Sequence, residues 1–146
     1  KQGIEKVHPM NFGSYKFDFG MLKFLPAWHS SAMPDGSYGG NPGGFLSMNH
    51  DGNFYYTGDT CLMMDMQLIP MTCGKLNFAL LPVGDNFTMG VDDAVVASDF
   101  VKCNTVVGLH YDTFGFIKID HAEAIKKFKN KDKDLVLLNI GQTIDL

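Results

Sequence analysis

The chain has 146 residues, 45% of them hydrophobic and 19% charged, with a net charge of −4. That length fits one ordinary domain, and the composition excludes a disordered or fibrous chain. The acidic balance, with no basic run outside residues 126–133, argues against nucleic-acid binding, and no apolar stretch approaches the roughly 20 residues that cross a bilayer.

The first half reads as strands. Residues 14–19 alternate Tyr15, Phe17 and Phe19 with polar partners, the period of two of a half-buried strand. Gly20 then leads into a second strand over residues 21–27, a hairpin. Residues 34–44 form a loop, because Gly36, Gly39, Gly40, Pro42, Gly43 and Gly44 forbid a regular element. Strands over residues 44–49 and 53–57 join across Asp51-Gly52, a tight-turn pair.

The second half changes rhythm. Residues 61–69 predict a short Met-rich helix ended by Pro70, and residues 76–83 a buried strand leading into a loop over 84–90. Residues 91–102 place Val91, Ala94, Val95, Ser98 and Val101 on one helical face. A buried strand over 105–110, a charged surface helix over 122–129 and a last strand over 135–140 complete the chain. Strands alternating with helices imply parallel crossovers here, against an antiparallel front half. The expected class is α/β, without internal repeat or linker. The chain opens on Lys1 and runs at once into Ile4, Val7 and Met10, which have the character of mid-domain residues, so a piece of a longer protein is expected. Cys61, Cys73 and Cys103, odd in number and without a C-x-x-C, suit a reduced cytoplasmic setting better than a disulfide framework.

Three segments end an apolar run with a side chain that can bind a metal: Ala27-Trp28-His29-Ser30-Ser31, Tyr56-Thr57-Gly58-Asp59-Thr60 and Gly108-Leu109-His110-Tyr111-Asp112. Imidazoles and a carboxylate at strand ends are candidates for one shared site at a sheet edge. Asp59 has a plainer alternative as a turn former or helix N-cap. In the 84–90 loop, Asp85, Asn86 and Thr88 precede a helix whose free N–H groups attract anions, although Asp92 and Asp93 already complement its dipole. Asp85 and Asn86 are catalytic candidates, Asp85 as an acceptor that orients a ligand histidine. Ser30 and Ser31 could hydrogen-bond a substrate, or serve backbone turns. His8, His50 and His121 are assigned to surface or turn positions. Met63, Met64 and Met66 are expected to fill irregular core gaps. Phe114, Phe116 and Ile117 form a candidate exposed patch for a homo-oligomer.

Pro26-Ala27-Trp28-His29-Ser30-Ser31, Gly58-Asp59-Thr60, the run from Leu81-Pro82-Val83-Gly84-Asp85 through Asn86-Phe87-Thr88-Met89-Gly90, and His110-Tyr111-Asp112-Thr113-Phe114 resemble, in order, the metallo-β-lactamase superfamily. More narrowly, they are similar to its broadly distributed bacterial and archaeal group of metal-dependent hydrolases. The resemblance implies a four-layer αββα sandwich with a metal site at one edge between two sheets, residues 1–146 being its C-terminal portion. It implies that His29 ligates a first metal, Asp59 bridges two, and His110 ligates the second. The family's H-x-H-x-D-H signature is absent among His8, His29, His50, His110 and His121, so an upstream N-terminal segment of the same fold is the expected partner. Two zinc ions are implied, with manganese, iron or nickel as alternatives. They would activate a hydroxide against a small-molecule substrate. The rivals are a non-catalytic binding or assembly subunit that keeps the fold without metal, and a nucleic-acid-processing relative, which the acidic balance disfavours.

Overall fold

Alternation at the start of the chain pairs as its pattern demands: β1 (Gly13–Phe17) lies antiparallel to β2 (Gly20–Pro26), setting Tyr15 opposite Leu22. The computed structural model describes residues 3–146; Lys1, where the mid-domain start was read, and Gln2 lie outside the described residues. Two further antiparallel strands follow, β3 (Gly43–Asn49) and β4 (Gly52–Tyr56), and then three parallel ones, β5 (Phe78–Pro82), β6 (Thr105–Leu109) and β7 (Asp134–Val136). All seven form one sheet in chain order. Composition of these pairings makes β2, β4, β5, β6 and β7 run in one direction, so their carboxyl ends share one edge.

Helices cover one face of this sheet. Leu46, Tyr55, Ala79, Leu81, Val106 and Leu135 join Ala94, Val95 and Ala97 of α2 (Val91–Phe100), and Ala124 and Phe128 of α3 (His121–Lys129), in a single apolar cluster. α3 starts where Asp120 accepts the N–H of Glu123 at 3.0 Å, an N-cap worth about 1 kcal/mol. The opposite face carries Leu22, Phe24, Phe45, Phe54, Phe78 and Leu80, all half-buried and outside that cluster. No helix among the described residues is long and apolar enough to cross a membrane.

Two elements differ from expectation. Residues 61–63 are not helical; a 3₁₀ turn spans Met64–Leu68, and a short helix α1, Ile69–Cys73, carries Pro70 in its first turn rather than ending there. The first turn of a helix has no use for an N–H, so proline opens one as readily as it stops one. The last strand spans three residues, Asp134–Val136, because its pairing with β6 ends at Val136. Residues 137–140 continue as an unpaired segment. Met66 is fully buried as expected of core filling, whereas Met64 is exposed.

Candidate metal centre

Strand direction assembles the candidate residues before any side chain is considered. His29 follows β2, Asp59 follows β4, Asp85 follows β5 and His110 follows β6, all at carboxyl ends on the same edge. Ligand sites of open α/β sheets lie in this position.

Asp59 is presented by a loop locked through its backbone. Thr57 is buried, and its hydroxyl donates to the Gly58 carbonyl at 2.8 Å. Gly58 sits at φ +66°, and a Cβ there would come within 2.4 Å of the Gly43 carbonyl, so no other residue fits. Buried Thr60 binds both neighbouring loops: its hydroxyl accepts the Trp28 N–H at 3.0 Å, and its carbonyl accepts the Met89 N–H at 2.9 Å. The Asp59 carboxylate, half-exposed between these anchors, caps no helix, since the 3₁₀ turn that follows begins after Met63 without a side-chain cap.

His110 faces it. Its Nε2 lies 3.7 Å from Asp59 Oδ2, too far for a hydrogen bond and close enough to be spanned by two metal–ligand bonds of about 2.0–2.2 Å. Its Nδ1 is buried and has no hydrogen-bond partner. The residue holds a left-handed φ of +54°, a conformation that costs about 1–2 kcal/mol without glycine. Gly84 packs directly on its carbonyl; a Cβ at Gly84 would meet that oxygen at 2.0 Å.

His29 is exposed, and its Nδ1 lies 2.9 Å from the Ser30 carbonyl. A carbonyl only accepts, so Nδ1 carries the proton and Nε2 keeps its lone pair, the tautomer in which imidazoles bind metals. The donor types and the 3.7 Å gap fit a borderline divalent cation. Asp59 and His110 are brought together; His29 is linked to them through the bond from Trp28 to Thr60. Among the described residues, no group of three or more His, Cys, Asp or Glu side chains is placed to hold an ion.

The other candidates are placed as follows. Asp85 and Asn86 are exposed on the same edge at φ +62° and +60°. The Asp85 carboxylate accepts the Asn86 N–H at 2.8 Å, which commits one oxygen to its own turn. Thr88 is buried and donates to the Met89 carbonyl. Ser30 and Ser31 lie beside His29. His8 packs tilted against Tyr15 with ring centroids 3.9 Å apart, and His50 pairs with exposed Asp51 at a hairpin tip. Ile117 is buried at 1% exposure, so the patch expected of it with Phe114 and Phe116 reduces to the two phenylalanines. A 3₁₀ turn, Gly115–Ile117, folds the isoleucine inward.

Two residues escaped the sequence. His121 is exposed, in keeping with its surface assignment, but its Nε2 lies 2.5 Å from Asp112 Oδ2, a pairing the sequence did not announce. The other Asp112 oxygen accepts the Ile119 N–H at 3.0 Å; that bond first, and the imidazole second, hold the carboxyl below the usual range. His110, Asp112 and His121 line one cleft of about 490 Å³ with Val107, Leu109 and Leu138. Asp112 stood within the quoted motif, but its partner lies nine residues on, beyond an irregular turn that no periodicity announces.

No protein-family model matches the chain. It is 58% identical over 147 residues to a UPF0173 metal-dependent hydrolase of Christiangramia forsetii, covering 100% of this chain and 64% of that protein. It is 57% identical to the Flavobacterium johnsoniae protein of the same description and 48% to that of Methylacidiphilum infernorum, over 64% and 65% of their lengths. The chain thus spans just under two thirds of these curated relatives. Among solved structures it resembles Igni18, a metallo hydrolase of Ignicoccus hospitalis, with a TM-score of 0.81, 26% identity and coverage of 98% of this chain and 61% of that one. A metallo-β-lactamase superfamily protein of Thermotoga maritima matches with a TM-score of 0.67 and 18% identity, over 88% of this chain and 70% of that one.

Proposed function

We propose that this chain, homologous along its whole length to the UPF0173 metal-dependent hydrolases and built on the metallo-β-lactamase-like fold, supplies one half of a metal-dependent hydrolase site. The observation that carries the proposal is the Asp59 carboxylate facing the His110 imidazole across 3.7 Å at the carboxyl edge of the sheet. His29, His110 and Asp59 would hold the metal, the histidines through imidazole nitrogens and Asp59 through a carboxylate shared between two ions, zinc being the first choice. A bound divalent cation lowers the pKa of water and polarises the bond to be cleaved.

The chain's own residues then have separate tasks. Asp59 offers an anionic oxygen held by the locked Gly58 turn, so its direction does not depend on substrate. His29, protonated at Nδ1 against the Ser30 carbonyl, presents Nε2. The cleft beside His110 admits a small molecule, with Tyr111 and Leu138 lining it. We place the remaining layers of the sandwich on the half-exposed face of Phe24, Phe45, Phe54 and Phe78, where they would close the site and add the missing imidazoles. Free Cys61, Cys73 and Cys103 fit a reduced compartment such as the cytoplasm.

The test is metal content of the full-length protein after gentle purification, measured by mass spectrometry with Asp59→Ala and His110→Ala alongside. At least one ion per chain, lost in both variants, is expected. Less than one ion in the parent protein would favour a subunit that keeps the fold without metal.

A further inference from the structure

We propose that Asp112, acting with His121, is a positioning residue that holds the His110 imidazole toward Asp59. The inference rests on His110 being a metal ligand. It starts from a conformational problem: His110 at φ +54° and Asp112 at φ +63° both occupy the left-handed region within three residues, so this turn does not hold its shape by local preference.

Contacts from three residues, Gly84, Tyr111 and Asp112, hold it from outside. Behind His110, Gly84 packs against its carbonyl so closely that no side chain fits between. Between the two strained residues, the Tyr111 hydroxyl donates to the Leu138 carbonyl at 2.8 Å, fastening the turn to the segment after β7. Beyond them, Asp112 draws in the far limb: its N–H donates to the Ile117 carbonyl at 2.8 Å, one carboxylate oxygen accepts the Ile119 N–H at 3.0 Å, and the other meets His121 Nε2 at 2.5 Å. His121 is the first residue of α3, whose Ala124 and Phe128 are buried in the core, so the carboxylate ties the turn to a rigid helix.

This external hold has a specific purpose at His110. Its Nδ1 has no partner to fix the ring, whereas a ligand imidazole is ordinarily oriented through its second nitrogen. Here the orientation comes through the backbone instead, and Asp112 supplies three of the contacts that fix it. Neither Asp112 nor His121 needs to touch the ion or the substrate for this task.

The test is Co²⁺ titration of the full-length protein, followed by d–d absorption, for the parent and for His110→Ala, Asp112→Ala, Asp112→Asn and His121→Ala, with metal-free melting curves of each. Asp112→Ala is expected to weaken Co²⁺ binding by about 10–100-fold and shift the d–d bands. Asp112→Asn, which keeps the oxygen that accepts from Ile119, should recover most of that loss. His121→Ala should fall between them, and it carries the test if Asp112→Ala does not fold. Metal-free melting of Asp112→Asn and His121→Ala should match the parent. The proposal is overturned if Asp112→Ala and His121→Ala bind Co²⁺ with parental affinity and spectrum while His110→Ala does not. It also fails if their affinity falls only in step with metal-free stability. Equal binding by the parent and His110→Ala, or none by either, sinks the reading of His110 as a ligand and this inference with it.

Discussion

The two faces of the sheet are made of similar side chains and differ in what lies on them. On one, Leu46, Tyr55, Ala79, Leu81 and Val106 are at most 1% exposed within the cluster that α2 and α3 join. On the other, Phe24, Phe45, Phe54, Phe78 and Leu80 are as apolar but remain half-buried. Phe54 stacks on Phe78 of the neighbouring strand at 5.1 Å, and Phe24 packs tilted against Phe45 at 5.0 Å, so this face carries two cross-strand aromatic pairs. Strands apolar on both sides belong to sheets buried on both sides. The covered face accounts for the stability of this chain, and the half-exposed face for a surface that its relatives, about a third of whose length lies outside the matched region, have residues to cover. The cleft beside His110 is lined by Val107 and Leu109 of this second face, so the candidate site opens on the side where the chain leaves its sheet least covered.

Core truncation gives the largest expected break between the faces. Leu81→Ala removes a fully buried side chain and should cost about 2–5 kcal/mol, read as a lower denaturation midpoint with unchanged slope. Phe54→Ala in this chain loses chiefly its cross-strand partner Phe78 and should cost about 1 kcal/mol or less. In the full-length protein the same Phe54→Ala change should rise toward the roughly 3–5 kcal/mol of a buried aromatic. An equal, small cost in both settings would mean that nothing covers this face.

Strand direction was legible because the hairpin alternation, the Asp51-Gly52 turn and the later alternation of strands with helices are local signals, and the shared carboxyl edge follows from direction alone; the order of strands in the sheet was not legible. The placement of Asp59 opposite His110 followed in turn, since both close apolar strands that run the same way. What was illegible depended on distant partners. Pro70 reads equally as a helix end or a helix start until the 3₁₀ turn before it is known. The shortness of β7 depends on where β6 stops pairing, which the apolar run 135–140 does not record. His121 looks like any polar residue opening a charged helix until the Gly115–Ile117 turn brings Asp112 to it.

A smaller effect is expected at the start of α3, which covers one face with Ala124 and Phe128 and carries His121 on the way to the other. Asp120→Ala leaves the Glu123 N–H without its acceptor and should cost about 0.5–2 kcal/mol in chemical denaturation. Asp120→Asn, which still accepts that bond, should cost less. Amide exchange should quicken in the first turn of α3 and leave β5 and β6 unchanged, because the fraying is local.

The smallest effect separates the protected and open parts of the molecule by chemistry rather than energy. Cys61 is exposed, whereas Cys103 is buried at 1% and burial pushes its thiol above the ordinary range. The thiolate is the species that alkylates, so iodoacetamide at mildly alkaline pH should label Cys61 quickly and Cys103 only after unfolding. The sign of the accompanying pH effect follows from proton binding: a folded-state pKa raised above the unfolded value means that the folded chain holds this proton more tightly. Its contribution is therefore complete below the unfolded thiol pKa, near 8.5, and is lost as the pH climbs through the raised folded value. Cys103→Ala should flatten that alkaline decline, measured as the denaturation midpoint between neutral pH and pH ~10.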